Sequence, residues 1–284
     1  MSIEVTEESL TLQAKEAIER ARNAVAAWSK LAPKERAARL RAAADELLVQ
    51  ADELAELVHK ETGKPLAEAF GAEVVGLADV FAYWCRTGPA LLKPRKGRIP
   101  KLEMPGKSAR IERLPRGVVA IIAPWNFPIA IPIRNIVPAL LAGNAVILKP
   151  SEASPRSGRW LVERLRASLG DVVGLVEGDG RSGAALVEAN PDMVVFTGST
   201  ATGRKVAAVC AQRGIVFEGE FGGKDCAVVL EDADVERAAA GIAEHRLHDE
   251  LAAARGAARR VEHGQLAHRV LLLRLRLRLL RRIE

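Results

Sequence analysis

Cysteine is scarce in this sequence and poorly placed for cross-linking. Cys85, Cys210 and Cys226 are the three present, with no Cys-x-x-Cys pair among them. That pattern excludes a disulfide framework and a thiolate metal centre, and no metal is expected. Long apolar runs are missing too: nothing reaches the roughly 18 residues that a membrane span requires. The opening MSIEVTEESL is acidic and has no apolar core, so it does not read as a secretory signal. These absences predict a cytoplasmic protein with reduced thiols and no membrane partner. Excess charge is missing from most of the chain. The first 245 residues carry 32 basic and 32 acidic side chains, and the whole net charge of +6 arises from position 246 onward, where ten Arg face four acids and Lys is absent. The body therefore has no electrostatic signature of nucleic-acid binding, and no such partner is expected for it.

What is present fits a globular chain. A length of 284 residues and a hydrophobic content of 49% suffice for one large domain or two with a real core. Residues 7–90 are rich in Ala, Glu, Leu and Arg at helical spacing. Leu40, Leu47, Leu48, Leu54, Leu57 and Val58 suit one face of a long helix, with Pro33 at a first helical turn. This part reads as a packing layer. Residues 91–117 hold four Pro, three Gly and many charges, with short alternating stretches such as SARIERL, and predict an exposed β arm or linker.

After Gly117 the pattern alternates. GVVAIIA, AVILK, VVGLVE, DMVVFTG, IVFEGE and CAVVL read as strands; the segments between the first five read as helices. Continuous apolar strands separated by short helices imply a parallel sheet covered on both faces. Such sheets bind ligands at the carboxyl ends of their strands, where each notable motif falls. The first strand ends in Pro124-Trp125-Asn126-Phe127-Pro128, a turn stiffened from both sides. Asn126 offers an amide donor for a developing oxyanion, or satisfies local backbone. The next ends in Lys149-Pro150-Ser151-Glu152, groups that can hold ribose hydroxyls or phosphate oxygens. Alternatively Ser151 or Ser154 caps a helix with Pro155 in its first turn, and both readings can hold together. GDGRSG, Gly178 to Gly183, matches G-x-G-x-x-G but lacks the acid some 20 residues on, since position 198 is Gly; a plain glycine turn beside a ligand is the better reading. FTGSTATG, Phe196 to Gly203, opens a helix whose backbone N–H groups could meet a diphosphate, or is a simple cap. Glu220, before Phe221-Gly222-Gly223-Lys224, is a candidate base toward water, or a solvated surface carboxylate.

Taken together, APWNFP, AGNAVILKPSE, FTGSTATG and EGEFGGKD, in that order over residues 10–243, resemble the NAD(P)-dependent aldehyde dehydrogenase superfamily. The resemblance implies an α/β fold: a Rossmann-type parallel sheet with N-terminal helices and a β arm, the catalytic domain incomplete. Residues 1–222 would be the NAD-binding domain, with 95–113 as an exposed oligomerisation arm. Residues 223–284 would be a truncated start of the catalytic domain, with 244–284 an aberrant Arg-rich tail. Asn126 then stabilises the oxyanion and Glu220 is the general base. Lys149 and Glu152 hold the adenosine ribose, Glu152 favouring NAD over NADP. Pro124 and Trp125 line the cofactor site, Gly198 and Ser199 sit by the pyrophosphate, and Ser151, Gly178, Phe196 and Gly203 complete the cofactor-binding set. The implied reaction oxidises an aldehyde to a carboxylic acid through a cysteine thiolate, with NAD, or alternatively NADP, as hydride acceptor.

The sequence departs from the family where that cysteine is expected, in an Asn-x-Gly-Gln-x-Cys segment a few dozen residues past the glutamate. No cysteine follows Cys226. Cys226 reads as a core strand residue, and Cys85 and Cys210 as core helix residues. A composition break near Glu244, the lost motif and the early stop together point to a frameshift near codon 244. A native basic tail, in which LRLRLRLL alternates with period 2, is the competing explanation. Three functions stand open on the sequence: a truncated, inactive aldehyde dehydrogenase whose homo-oligomer is impaired; a non-catalytic NAD-binding pseudoenzyme; and a basic-tailed protein that binds nucleic acid or membrane.

Overall fold

The structure is a computed structural model that describes residues 6–100, 104–223 and 226–243. The Arg-rich stretch 244–284, the first five residues and Lys224 lie outside the described residues. The chain divides into two compact units, Met1–Gly222 and Gly223–Glu284.

The first unit begins with the helical layer: α1 (Glu7–Trp28), α2 (Pro33–Leu48), α3 (Ala51–Thr62), α4 (Leu66–Ala69), a π-helical turn at Phe70–Val75, and α5 (Gly76–Leu91). Thr6 caps α1 by accepting from the Ser9 N–H at 3.2 Å, and Glu7 and Glu8 oppose the dipole of its first turn. The single long helix expected around residues 40–58 is two helices. The chain turns at Val49 and Gln50, leaving Val49 86% exposed, so that Leu40 and Leu47 of α2 and Leu54 and Val58 of α3 can all be buried. One continuous helix could not wrap the same core.

A short antiparallel arm follows, β1 (Arg95–Gly97) paired with β2 (Ala109–Ile111). Then come β3 (Val118–Ile122), α6 (Ala130–Leu141), β4 (Ala145–Lys149), α7 (Pro155–Leu169), β5 (Val173–Leu175), α8 (Gly180–Glu188), β6 (Met193–Gly198), α9 (Thr200–Arg213) and β7 (Val216–Phe221). The five strands β3 to β7 form one parallel sheet in the order β5-β4-β3-β6-β7. The order reverses between β3 and β6. Helices α6 and α7 therefore cover one face, backed by α2 and α5, while α8, α9 and α1 cover the other. Burial from both sides explains the unbroken apolar runs: Val118–Ile121 and Ala145–Leu148 are buried at every position. The helical layer is tied to this core through the end of α6. Trp28 Nε1 donates to the Leu140 carbonyl at 2.8 Å, and the buried Arg36 guanidinium donates to Leu141 O at 2.8 Å.

In the second unit, CAVVL (226–230) is not a strand. Cys226, Val228, Val229 and Leu230 are exposed, Val228 by 75%. An apolar run becomes a strand only with a neighbour to pair with, and none is found among the described residues. Cys226 is accordingly not a core residue. Cys85 and Cys210 are buried, and burial pushes both thiols above the ordinary range.

Candidate functional site

Parallel pairing brings the motifs to one edge. The register aligns Lys149 of β4, Ile122 of β3, Phe196 of β6 and Gly219 of β7 in one row across the sheet. Ala123 continues the ladder by donating to the Lys149 carbonyl at 3.1 Å. Immediately beyond this row lie Pro124-Trp125-Asn126, Ser151-Glu152, Gly198-Ser199 and Glu220. The row from Lys149 to Gly219 spans three interstrand spacings, roughly 14 Å. Gly178, after the edge strand β5, stands at the outer end of the same rim.

At the end of β3, Asn126 is exposed and its side-chain Oδ1 accepts from the Phe127 N–H at 3.1 Å. With Oδ1 engaged in that bond, the NH2 is the donor that this exposed side chain can offer. Sequence reasoning missed what holds this turn. Lys64 Nζ donates to the Asn126 carbonyl at 3.0 Å, lies 3.8 Å from the Phe127 ring centroid, and pairs with Glu73 Oε1 at 2.9 Å. Glu73, fully buried in the π-helical turn, accepts with its other oxygen from Ile129 N at 3.1 Å and Ala130 N at 2.7 Å, closing the α6 N-terminus.

At the end of β4, Lys149 is buried and its Nζ lies 3.4 Å from Glu152 Oε2, while Glu152 is exposed. Burial lowers the Lys149 pKa; Glu152 and the nearby Asp179 pull it the other way. The expected Ser154 cap is not made. Ser154 occupies the position before α7, but its buried hydroxyl has no hydrogen-bond partner. Glu61 does the capping, accepting from Arg156 N at 2.7 Å and Ser157 N at 2.8 Å and also from the Ser157 hydroxyl. A buried carboxylate saturates these donors better than a serine hydroxyl could. Ser151 accepts from Ala153 N at 3.2 Å, a local turn.

The GDGRSG motif is a capped turn. Asp179 accepts from Arg181 N at 2.9 Å, and Gly178 adopts φ +123°, where a Cβ would strike the Ser182 hydroxyl. In FTGSTATG, Ser199 caps α9, accepting from Thr202 N at 3.3 Å. Phe196 is buried. Gly203 is buried against Phe221, whose ring atom Cε1 would lie 2.1 Å from a Cβ there, so its lack of a side chain serves helix-on-strand packing. Glu220 is exposed at the end of β7, beside Thr197.

The helix starts at this rim differ in one respect. The N-termini of α6, α7 and α8 are occupied by carboxylates, those of Glu73, Glu61 and Asp179. That of α9 is closed only by the neutral Ser199 hydroxyl. The positive end of its dipole is left uncompensated by any charge of its own cap, which suits a diphosphate. With Lys149 and Glu152 as donor and acceptor for hydroxyls, the residues present fit a dinucleotide. Among the described residues, no cluster of His, Cys, Asp and Glu could hold a metal ion, and no helix is long and apolar enough to cross a membrane.

Comparison with known proteins identifies the family. The aldehyde dehydrogenase family model matches residues 3–249. The chain is 42% identical over 224 residues to 4,4'-diapolycopene aldehyde oxidase of Methylomonas, covering 78% of this chain and 42% of that protein. It is 41% identical over 224 residues to 3,6-anhydro-alpha-L-galactose dehydrogenase of Streptomyces coelicolor, covering 78% and 44%. The solved structure of an indole-3-acetaldehyde dehydrogenase complexed with NAD+ superposes with a TM-score of 0.70 at 32% identity, covering 75% of this chain and 43% of that one. This chain thus spans less than half the length of these three relatives.

Proposed function

Because this chain belongs to the aldehyde dehydrogenase family, we propose that its sheet edge binds NAD, with NADP as the alternative, for the oxidation of an aldehyde to a carboxylic acid. The observation that carries this is the α9 start, whose neutral Ser199 cap leaves it, of the four helix starts at the rim, open to a diphosphate. When bound, the cofactor supplies a hydride acceptor. Lys149 and Glu152 hold the ribose hydroxyls, Pro124 and Trp125 flank the ring system, and Gly198 and Ser199 present backbone N–H groups to the diphosphate. Asn126 donates its NH2 to the oxygen that gains negative charge when a nucleophile adds to the aldehyde carbon. Glu220 accepts a proton from the water that releases the acid.

The first unit supplies no accessible thiolate. Cys85 and Cys210, the two thiols of that unit, are buried with raised pKa values. We therefore read the 284 residues as a binding platform that does not turn over aldehyde by itself. Residues 1–222 act as the cofactor-binding domain, and the arm around β1 and β2 pairs with a second copy. The setting is cytoplasmic, without nucleic-acid or membrane partners.

Calorimetric titration with NAD+ and NADP+, together with nicotinamide-reduction assays on several aldehydes, tests the reading. Saturable binding without turnover is expected. No binding at millimolar NAD+ or NADP+ sinks the platform; turnover abolished by thiol alkylation sinks the claim of inactivity.

A further inference from the structure

Asn126 stands at the exposed end of a hydrogen-bond series that starts from the fully buried Glu73. Its backbone carbonyl accepts from Lys64 Nζ at 3.0 Å. That carbonyl and the Phe127 N–H belong to the same peptide group, and this N–H donates at 3.1 Å to the side-chain Oδ1 of Asn126. We propose that Lys64 is a positioning residue for Asn126: its ammonium polarises the Asn126–Phe127 peptide, which in turn fixes and polarises the side-chain amide, so that the NH2 faces outward as the stronger donor. The inference rests on the reading of Asn126 as the oxyanion group and deepens it.

The physics runs in one direction along the chain. A cation on a peptide oxygen draws density from its N–H, which then donates more strongly to Oδ1. Density drawn toward Oδ1 leaves Nδ2 more positive, as in any cooperative hydrogen-bond series. Lys64 itself is pre-set. Its side chain is only 9% exposed, its ammonium is committed to Glu73, the Asn126 carbonyl and the Phe127 ring, and the side chain of Glu73 is fully buried. Glu73 in turn is anchored by Ile129 N and Ala130 N. It is presented from a π-helical turn, Phe70–Val75, a local departure from α-helix of the kind found at functional sites. Glu73 thus serves two ends at once, one oxygen closing the α6 start and the other holding the Lys64 ammonium against the Asn126 carbonyl, so the pair fixes the geometry of the turn.

The test uses the full chain labelled with 15N. The readouts are the Asn126 side-chain NH2 resonance and the exchange rate of the Phe127 amide proton. Lys64→Met is expected to shift the first and to speed the second about tenfold, the loss of one charge-assisted bond in the series. Lys64→Arg, which can donate to the same two oxygens, is expected to restore both. Should Lys64→Met not fold because Glu73 is left unpaired, Lys64→Met with Glu73→Gln removes both charges and carries the same readout. An Asn126 resonance that is unmoved in the folded variant overturns the proposal. So does a Phe127 amide that, in the unaltered chain, exchanges like that of an open loop. NAD+ titration of the same samples keeps the two readings apart: a chain that shows the relay but binds no cofactor refutes the function and not the relay.

Discussion

Gly158 lies directly against Pro150: a Cβ at position 158 would sit 2.4 Å from Pro150 Cβ and 2.8 Å from its Cγ. The first turns of α7 thus rest on the proline that links Lys149 to Ser151. Gly158→Ala gains about 1 kcal/mol of helix propensity. It loses more, about 1–3 kcal/mol, because a proline ring cannot swing aside. The variant is expected to unfold at lower temperature and to bind NAD+ more weakly. Unaltered binding would show that the 149–152 turn tolerates displacement.

Lys149 sets function against stability. Burial depresses its pKa from the ordinary 10.5, so the folded state favours the neutral amine more than the unfolded chain does. The folded chain then binds fewer protons in the window between the depressed value and 10.5, and stability rises with pH across it. Below that window the buried charge is a fixed penalty. Lys149→Met leaves no buried carboxylate unpaired, since Glu152 is exposed, and is expected to stabilise the chain by about 1 kcal/mol at neutral pH. Urea midpoints of the two proteins should converge as pH approaches 10.5, while the variant loses NAD+ affinity by about tenfold or more.

Glu61 and Ser154 invert an ordinary capping expectation. Glu61→Ala strips two N–H groups of α7 and the Ser157 hydroxyl of their acceptor, and is expected to cost about 2–3 kcal/mol. Ser154→Ala removes a buried hydroxyl without a partner and should fall within about 0.5 kcal/mol of the parent. Paired urea titrations decide; equal losses would mean that the serine caps after all.

The three thiols differ in access. Iodoacetamide at mildly alkaline pH is expected to modify Cys226 in the folded chain, and Cys85 and Cys210 only after denaturation. Mass spectrometry of the labelled peptides reads the order, and early labelling of Cys210 would contradict its burial.

The parallel sheet was legible because strands buried on both faces leave continuous apolar runs, and the positions of Asn126, Lys149, Ser199 and Glu220 follow from where those runs stop. Their supporting residues were not legible. Glu61, Lys64 and Glu73 sit in VHKETGKPLAEAFGAEVV, where a carboxylate aimed at a distant helix start looks the same as one aimed at water. The one local cue is Gly63 at φ 74°, followed by Lys64 and Pro65, which ends α3 and frees Lys64 to turn inward. The break between α2 and α3 was hidden for a related reason: helical spacing persists through Val49 and Gln50, and only the curvature of the core demands the turn. CAVVL misled in the opposite sense, since apolarity signals a strand only when a partner strand is at hand.

The strand order also bears on how the chain can be put together as it is synthesised. The central strand, β3, is the earliest of the five in the sequence; β4 and β5 extend the sheet on one side, then β6 and β7 on the other. Each new strand meets a free edge, so no hydrogen-bonded pair ever has to reopen to admit a latecomer. The rim that carries Asn126, Lys149 and Ser199 is complete once β6 and the start of α9 have docked, whereas Glu220 arrives on the final strand. The part of the rim that carries Asn126, Lys149 and Ser199 can therefore form on the ribosome before Glu220 is in place.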